Sequence, residues 1–201
     1  MRRPLGLAAL LIVSGARPAR AQRIEIEPFV GYRFGGLMQN LTTGARYQIN
    51  PSLAYGGLLE VAFGAGNRFT LTYSRQDTDV DTAVAGAGIP VLLQYFEFGG
   101  TRDMKIRGTA QPFVTGGLGL LIASVPGTLV GSDTRLSVSA ALGAKVPAGS
   151  RVALRAEARG YLSFVGSSSV AASCGGGGCA IAFQGTGLLQ GELAAGITFK
   201  F

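Results

Sequence analysis

The 201-residue sequence contains no histidine and no tryptophan, and only 14% of its residues are charged. Histidine is the usual general base beside a serine nucleophile and a common metal ligand, so its absence argues against enzymes and metal centres of those types. Glu25 and Glu27 point the same way from an extended chain and could in principle act as an acid and base pair. Pairing with Arg155 and Arg159 is the simpler interpretation. We expect a non-enzymatic protein without catalytic residues, cofactor or bound metal.

A long apolar segment is also missing once the first residues are set aside. Residues 1–21 place two arginines ahead of an apolar run from Leu5 to Val13 and end in a small-x-small triplet. This pattern is typical of a secretory signal peptide cleaved before Gln22, and the apolar run is too short to cross a bilayer. A retained interfacial helix is the alternative. No run of about eighteen apolar residues follows, which excludes membrane-spanning helices.

The positive charge of the chain gives little support to nucleic-acid binding. The leader carries four arginines and no acid, so its removal lowers the net charge from +7 to +3. A nucleic-acid partner would require a clustered basic face, and we expect none. The remaining residues, 22–201, suit one domain. Their sequence is rich in glycine, and the mean hydropathy of the whole chain is positive, at +0.34. An apolar, exported chain without spanning helices favours strands that face lipid.

Alternation of apolar and polar residues predicts eight strands in residues 22–201. In the second strand, for example, Leu59, Val61 and Phe63 face one side while Glu60 faces the other. The fourth strand matches least well, because Gln94 falls among its apolar positions. The eight predicted strands occupy residues 23–34, 53–63, 68–76, 91–102, 109–122, 135–146, 151–164 and 187–201. Each has roughly nine residues or more, the length that a tilted transmembrane strand needs.

The connections between the predicted strands alternate in length. Those after strands two, four and six are short, as in residues 64–67 and 147–150. Those after strands one, three, five and seven are long, and the longest covers residues 165–186. Tight turns at one end and large loops at the other are typical of outer-membrane barrels, with the turns in the periplasm and the loops outside. The sequence therefore predicts an all-β, eight-stranded antiparallel up-and-down transmembrane barrel.

The polar face of the predicted strands would line the inside of the barrel. It carries six acids and eight bases, so we expect a nearly balanced charge network in the lumen. The members are Glu25, Glu27, Arg33, Glu60, Arg68, Glu97, Arg135, Lys145, Arg151, Arg155, Glu157, Arg159, Glu192 and Lys200. An eight-stranded barrel is only wide enough for its side chains to fill, and unpaired buried ions are costly. We therefore expect a plugged, ion-paired lumen, the alternative being a narrow ion path gated by the arginines.

The sequence ends in GITFKF, with apolar residues at alternate positions and an aromatic last residue. With the eight strands and the leader, this ending resembles the small eight-stranded outer-membrane barrel family of Gram-negative bacteria, which includes the OmpA-type transmembrane domain. The resemblance covers essentially all of residues 22–201. It implies that the barrel-assembly machinery reads an assembly signal made of Leu193, Ile197, Phe199 and Phe201. It also implies location in the outer membrane, contact with its lipid and lipopolysaccharide, and a monomer.

Two cysteines flank four glycines in the longest predicted loop, at Cys174 and Cys179. An exported protein enters an oxidising compartment, so a disulfide between them is the leading expectation. A metal site is the rival interpretation, although two thiolates without imidazole are a poor ligand set.

Function is predicted only as a class. We expect a structural and surface-interaction role, with outer loops that could contact host or phage surface ligands. Asp77, Asp79 and Asp81 in one such loop could bind Ca²⁺, although a solvated loop is the simpler interpretation. The alternatives are a narrow porin-like channel for ions or small solutes and a soluble secreted barrel that binds an apolar ligand, as lipocalins do. The lipocalin-like alternative requires an apolar interior and a polar exterior.

Overall fold

The computed structural model contains one closed β-barrel. It describes residues 23–39, 46–81, 88–104, 108–126, 132–164, 173–175, 178–180 and 187–201. These residues form twelve strands, of which eight build the barrel wall: β1 (Ile24–Gly35), β4 (Ser52–Gly64), β5 (Asn67–Asp81), β6 (Ile89–Asp103), β7 (Gln111–Ser124), β8 (Asp133–Pro147), β9 (Val152–Ser163) and β12 (Leu188–Lys200). Four short strands accompany them: β2 (Leu37–Gln39), β3 (Arg46–Ile49), β10 (Ser173–Gly175) and β11 (Gly178–Ala180).

The barrel closes because every wall strand pairs with two neighbours. The order is β5-β4-β1-β12-β9-β8-β7-β6, and β6 pairs again with β5. All eight pairings are antiparallel. The first and last strands form the seam, from Glu25 opposite Lys200 to Gly35 opposite Gln190. The eight-stranded antiparallel barrel predicted from the sequence is thereby confirmed. A closed wall leaves no strand edge with unpaired backbone groups.

The register of the pairings fixes how the strands are tilted. A row of directly opposite residues that starts at Ile24 returns to β1 at Phe34 after one circuit, ten residues further along the strand. The residues of this row are Ile24, Val61, Phe69, Gly100, Gly116, Ala140, Gly160, Gly191 and Phe34. Such a stagger requires strands inclined to the barrel axis, and eight strands leave an interior that side chains can fill.

The two ends of the barrel differ. At the turn end, consecutive wall strands are joined by short connections, such as Ala65 and Gly66 between β4 and β5. Gly66 has a φ of 78°, which favours glycine in this tight turn. At the loop end, β2 and β3 pair with each other, and Ile49 of β3 then pairs with Val80 of β5. The first long connection thus extends the wall beyond the rim of the barrel.

The two faces of the wall have opposite character over most of the barrel. Large apolar side chains point outward, and Leu118, Leu142 and Leu189 are 61%, 62% and 67% exposed. Aromatic rings stack on the outside near the turn end, where the centroid of Phe69 lies 4.1 Å from that of Phe63 and 5.9 Å from that of Phe98. Most buried polar and charged side chains point inward. None of the described residues belongs to a helix that is long and apolar enough to cross a bilayer.

Some strand limits differ from the sequence-based expectation. The loop expected at residues 77–90 is shorter, because β5 continues to Asp81 and β6 begins at Ile89. Asp77, Asp79 and Asp81 therefore alternate along a strand on the outer face, where each is exposed. Backbone pairing of β5 with β6 extends this far, since Val80 lies opposite Ile89. The aspartates project from the wall rather than from a loop.

Candidate functional site

The interior of the barrel is divided into three layers. A charge network fills the turn-end half, a tyrosine layer crosses the middle, and an apolar cap fills the loop end. The charge network consists of Glu25, Glu27, Glu60, Arg68, Glu97, Lys145, Arg155, Glu157 and Arg159, all on inward-facing wall positions. The tyrosine layer consists of Arg33, Tyr95, Tyr161 and Glu192. The apolar cap consists of Ile49, Val80, Val91, Leu93, Leu121, Ala123 and Leu188.

Glu60 is the centre of the charge network. Its carboxylate accepts hydrogen bonds from Lys145 Nζ and, at 3.0 Å, from Arg155 Nη1. Arg68 Nε lies 2.8 Å from the same carboxylate. Lys145 also donates to Glu25 at 2.7 Å, so one ammonium group joins β8 to both β1 and β4. Because Glu60 is 1% exposed and meets three cations, its charge is fully compensated inside the barrel.

Arg155 connects Glu60 to the next acids. Its guanidinium donates to Glu157 at 2.6 and 3.0 Å and lies 3.5 Å from Glu27. Glu27 also accepts a hydrogen bond from Thr198 at 2.6 Å. The flat face of the guanidinium lies over the ring of Phe113, 4.0 Å from its centroid. Arginine suits this place because its planar group can pair with carboxylates at its edge while its face contacts an aromatic ring.

Arg159 continues the network towards the middle of the barrel. Its Nε donates to Glu157 at 2.9 Å, and its Nη1 lies 3.4 Å from Glu97. Glu97 accepts a second hydrogen bond from Ser139 at 2.7 Å. The chain of contacts therefore runs without a break from Glu25 near the turn end to Glu97.

The tyrosine layer contains one ion pair that crosses the seam. Arg33 of β1 lies directly opposite Glu192 of β12, and its Nε donates to Glu192 at 2.7 Å. The guanidinium lies over the rings of Tyr95 and Tyr161, 4.7 Å from each centroid. Tyr95 in turn donates to Gln190 at 2.7 Å. Arg33 is fully buried, so both the pairing and the aromatic contact compensate for its lost hydration.

The apolar cap had not been expected from the sequence. Leu93, Leu121 and Leu188 point inward and are at most 1% exposed. Their neighbours Leu92, Leu120 and Leu189 are also apolar and point outward. The sequence did contain a signal for the cap, namely a pair of adjacent leucines in each of β6, β7 and β12. Apolar residues on both faces of a strand indicate that both faces are covered.

The cap is completed by the hairpin of β2 and β3. Ile49 is fully buried, and its backbone N–H donates to the carbonyl of Gly36 at 3.2 Å. Gly36 has a φ of 98°, and a Cβ at this position would lie 3.0 Å from the Cβ of Ile49. Glycine therefore allows the close approach of Ile49. The next residue, Asn50, is held by a hydrogen bond from its N–H to the carbonyl of Asp79 at 2.9 Å.

Three of the predicted lumen residues belong neither to the charge network nor to the tyrosine layer. Arg135 is half-buried near the loop end, where it pairs with Asp133 at 2.9 Å. Arg151 is exposed in the turn before β9. Lys200 lies opposite Glu25 at the end of β12 and makes none of the ion pairs found in the described part of the chain. The sequence did not indicate Asp103 as a partner in the lumen, yet Asp103 forms a bidentate ion pair with Arg68.

The other predicted site residues are only partly described. Leu193, Ile197, Phe199 and Phe201 point outward at the end of the last strand, 57%, 44%, 41% and 75% exposed. Cys174 and Cys179 lie directly opposite each other in the pairing of β10 with β11, but their side chains fall outside the described residues, so the disulfide stays a prediction. The leader, residues 1–21, also lies outside them.

A polar cluster is found on the outer face near the loop end. Arg75 donates to Asp77 at 2.8 and 3.0 Å, and Tyr55 donates to the same carboxylate at 3.3 Å. Both charged side chains are substantially exposed, at 37% and 51%. Within the described ranges, no group of three or more His, Cys, Asp or Glu side chains is arranged to hold a metal ion. This includes the three aspartates of β5.

The fold is similar to those of solved outer-membrane proteins. Neisserial surface protein A (NspA) matches with a TM-score of 0.56 at 15% identity, over 89% of this chain and 96% of its own. OprG of Pseudomonas aeruginosa matches with 0.56 at 10% identity, over 90% and 96%. AlkL, determined in DMPC lipid bilayers, matches with 0.54 at 11% identity, over 100% and 97%. No protein-family model and no curated protein sequence matches this chain.

Proposed function

We propose that this chain, which has the fold of the small eight-stranded outer-membrane barrels, is an integral, non-enzymatic protein of the outer membrane of a Gram-negative bacterium. The observation that carries the proposal is the reversal of the usual faces of a soluble barrel. The outer wall is apolar, and the turn-end half of the interior is ionised. A hydrocarbon solvent makes this arrangement favourable, because the apolar wall then faces lipid and the charges are kept inside.

The outer surface is apolar, as a surface in contact with lipid must be. Leucine, isoleucine, valine and phenylalanine side chains cover it on all sides, far beyond the apolar patch of a few hundred Å² that soluble monomers expose. Aromatic side chains lie towards both ends: Phe63, Phe69 and Phe199 at the turn end, and Tyr32, Phe34 and Phe164 at the loop end. Such aromatic girdles mark the two membrane interfaces of barrels.

A structural and surface role fits the filled interior better than transport does. The charge network, the tyrosine layer and the apolar cap together occupy the lumen from the turn end to the loop end. We expect a plugged barrel that does not conduct ions. A porin-like channel would require an open, water-filled path, whereas the side chains of these layers fill the interior. A lipocalin-like carrier would require a polar outer wall, and this wall is apolar.

The remaining parts of the proposal concern export, assembly and partners. Residues 1–21 act as a signal peptide, and residues 22–201 form the barrel domain. Leu193, Ile197, Phe199 and Phe201 serve as the signal for the barrel-assembly machinery. The long connections at the loop end face the outside of the cell, where they contact lipopolysaccharide and present surfaces to host or phage ligands. The barrel acts as a monomer because the closed wall leaves no strand edge for pairing with a second copy.

Membrane fractionation combined with gel mobility tests the proposal. The expected result is a protein of the outer-membrane fraction whose mature chain begins at Gln22 by mass spectrometry. The unheated sample should migrate faster on an SDS gel than the boiled sample, because the barrel stays folded until it is heated. Recovery of the protein from the soluble periplasmic fraction would contradict it.

A further inference from the structure

We propose that the apolar cap, and not the charge network, is the permeability barrier of this barrel. This inference rests on the plugged lumen of the proposed function and identifies the layer that produces it. The cap is defined by Ile49, Val80, Val91, Leu93, Leu121, Ala123 and Leu188, which come from β3, β5, β6, β7 and β12.

The charged and tyrosine layers can hold water. Arg33 Nη1, Glu97 Oε1 and Glu192 Oε1 are buried polar atoms without a hydrogen-bond partner among the described residues. Buried polar groups in proteins are almost always satisfied, and ordered water is the usual partner where no side chain is available. These atoms belong to neighbouring layers in the middle of the barrel. The polar interior is therefore able to admit water as far as the tyrosine layer.

The apolar cap cannot hold water in the same way. Its seven side chains offer no hydrogen-bonding group, and each is at most 5% exposed. Polar side chains border the cap on two sides and hydrogen-bond to one another. Ser163 donates to Ser137 at 3.4 Å, Gln190 donates to Gln76 at 3.4 Å, and Gln76 donates to Ser52 at 3.0 Å. Apolar cavities in proteins stay dry, and hydrophobic constrictions stop ion flow by excluding water. A dry layer at this position blocks ions even where the layers below it are hydrated.

The cap is held by the first long connection of the chain. Ile49 of β3 contributes the cap residue nearest the loop end. Two backbone hydrogen bonds hold it in place, from the N–H of Ile49 to the carbonyl of Gly36 and from the N–H of Asn50 to the carbonyl of Asp79. Thr78, on the inner face of β5, also donates to the carbonyl of Asn50. These bonds hold the end of the hairpin against the rim of the barrel. The barrier is thus made by wall residues and by one loop residue together.

Planar-bilayer conductance of the wild-type barrel and three purified variants tests the inference. The cap variant carries Leu93→Ser, Leu121→Ser and Leu188→Ser. The matched control carries Leu92→Ser, Leu120→Ser and Leu189→Ser, the same change on the same strands but on the outer face. The network variant carries Glu97→Gln and Arg159→Gln, which removes one acid and one base while Glu157 keeps Arg155. Each protein must first give the fast-migrating folded band.

The cap variant should conduct at least roughly tenfold more than the wild-type barrel, because serines let water fill the dry layer. The control and the network variant should stay at the wild-type level. A silent cap variant, or a network variant that conducts while the cap variant does not, would overturn the inference. If the triple cap variant does not fold, the single variants Leu93→Ser and Leu188→Ser replace it. Wild-type conductance in both would count equally against the proposal. A conducting wild-type barrel would instead show that the lumen is not plugged.

Discussion

Arg33 and Glu192 lie directly opposite each other across the seam where the last strand closes on the first, and they form a fully buried ion pair. Neither makes a second ion pair with the described residues, so removal of either charge leaves the other buried and unpaired. The pair therefore joins the closure of the barrel to the balance of charge inside it.

Single substitutions at the seam should be strongly destabilising. Arg33→Met and Glu192→Met should each lower the free energy of unfolding by about 3–5 kcal/mol, because each leaves one unpaired buried charge. The double variant should cost less than the sum of the two. Urea unfolding followed by the mobility of unheated samples on a gel measures this. Additive losses would mean that the two side chains do not interact.

Loss of the carboxylate of Glu60 should destabilise the barrel as much as loss of one charge of the Arg33–Glu192 pair. Glu60→Gln leaves Lys145 with Glu25 alone and weakens the contacts of Arg155 and Arg68. We expect a loss of about 3–5 kcal/mol in the same unfolding assay. The exposed pair is the control, and Asp77→Asn should cost no more than about 1 kcal/mol. Equal effects at the two positions would show that the charge network is not buried as described.

The two cysteines should be oxidised in protein purified from the cell envelope. Because Cys174 and Cys179 lie opposite each other in paired strands, a bridge between them requires no rearrangement of the backbone pairing. Thiol titration of the unfolded, unreduced protein should find no free thiol. Reduction should then release two thiols and leave the folded gel band unchanged. Two free thiols before reduction would remove the disulfide.

The terminal aromatic residue should matter for assembly more than for stability. The ring of Phe201 is 75% exposed, so Phe201→Ala removes little packing. We expect severalfold less protein in the outer membrane, while the purified variant still folds in detergent. Phe164→Ala, an exposed ring at the other end of the barrel, is the control and should not lower the amount. Equal reductions for both variants would contradict an assembly signal at the end of the chain.

The sequence predicted the barrel well because alternation is a direct record of a two-faced wall. Glu60 between Leu59 and Val61, for example, settles which side of β4 faces inward. The charged positions that the structure brings together follow from the same rule. Alternation alone does not give distances along the barrel axis, so Arg151 was expected in the lumen although it lies in an exposed turn.

The apolar cap was not predicted because it breaks the rule that polar residues face inward. Near the loop end, Leu92 and Leu93 face opposite sides, and a search for one apolar face assigns only one of them. The extension of β5 to Asp81 was missed for a related reason. Aspartate is disfavoured in strands, and the alternating aspartates resemble a solvated loop. The end of β5 pairs through its backbone with both β6 and β3, and this pairing overrides the local preference.

Spin labels on the outer wall test most directly whether the apolar face meets lipid. The labelled variants carry Cys174→Ser and Cys179→Ser together with one new cysteine, and they are reconstituted in vesicles. Leu118→Cys, Leu142→Cys and Leu193→Cys place the label on the outer wall, and Asp81→Cys places a reference label beyond the membrane. The three wall labels should collide often with dissolved oxygen and rarely with a water-soluble nickel reagent, while the reference label shows the opposite. Wall labels as accessible to nickel as the label at Asp81 would contradict a lipid-facing wall.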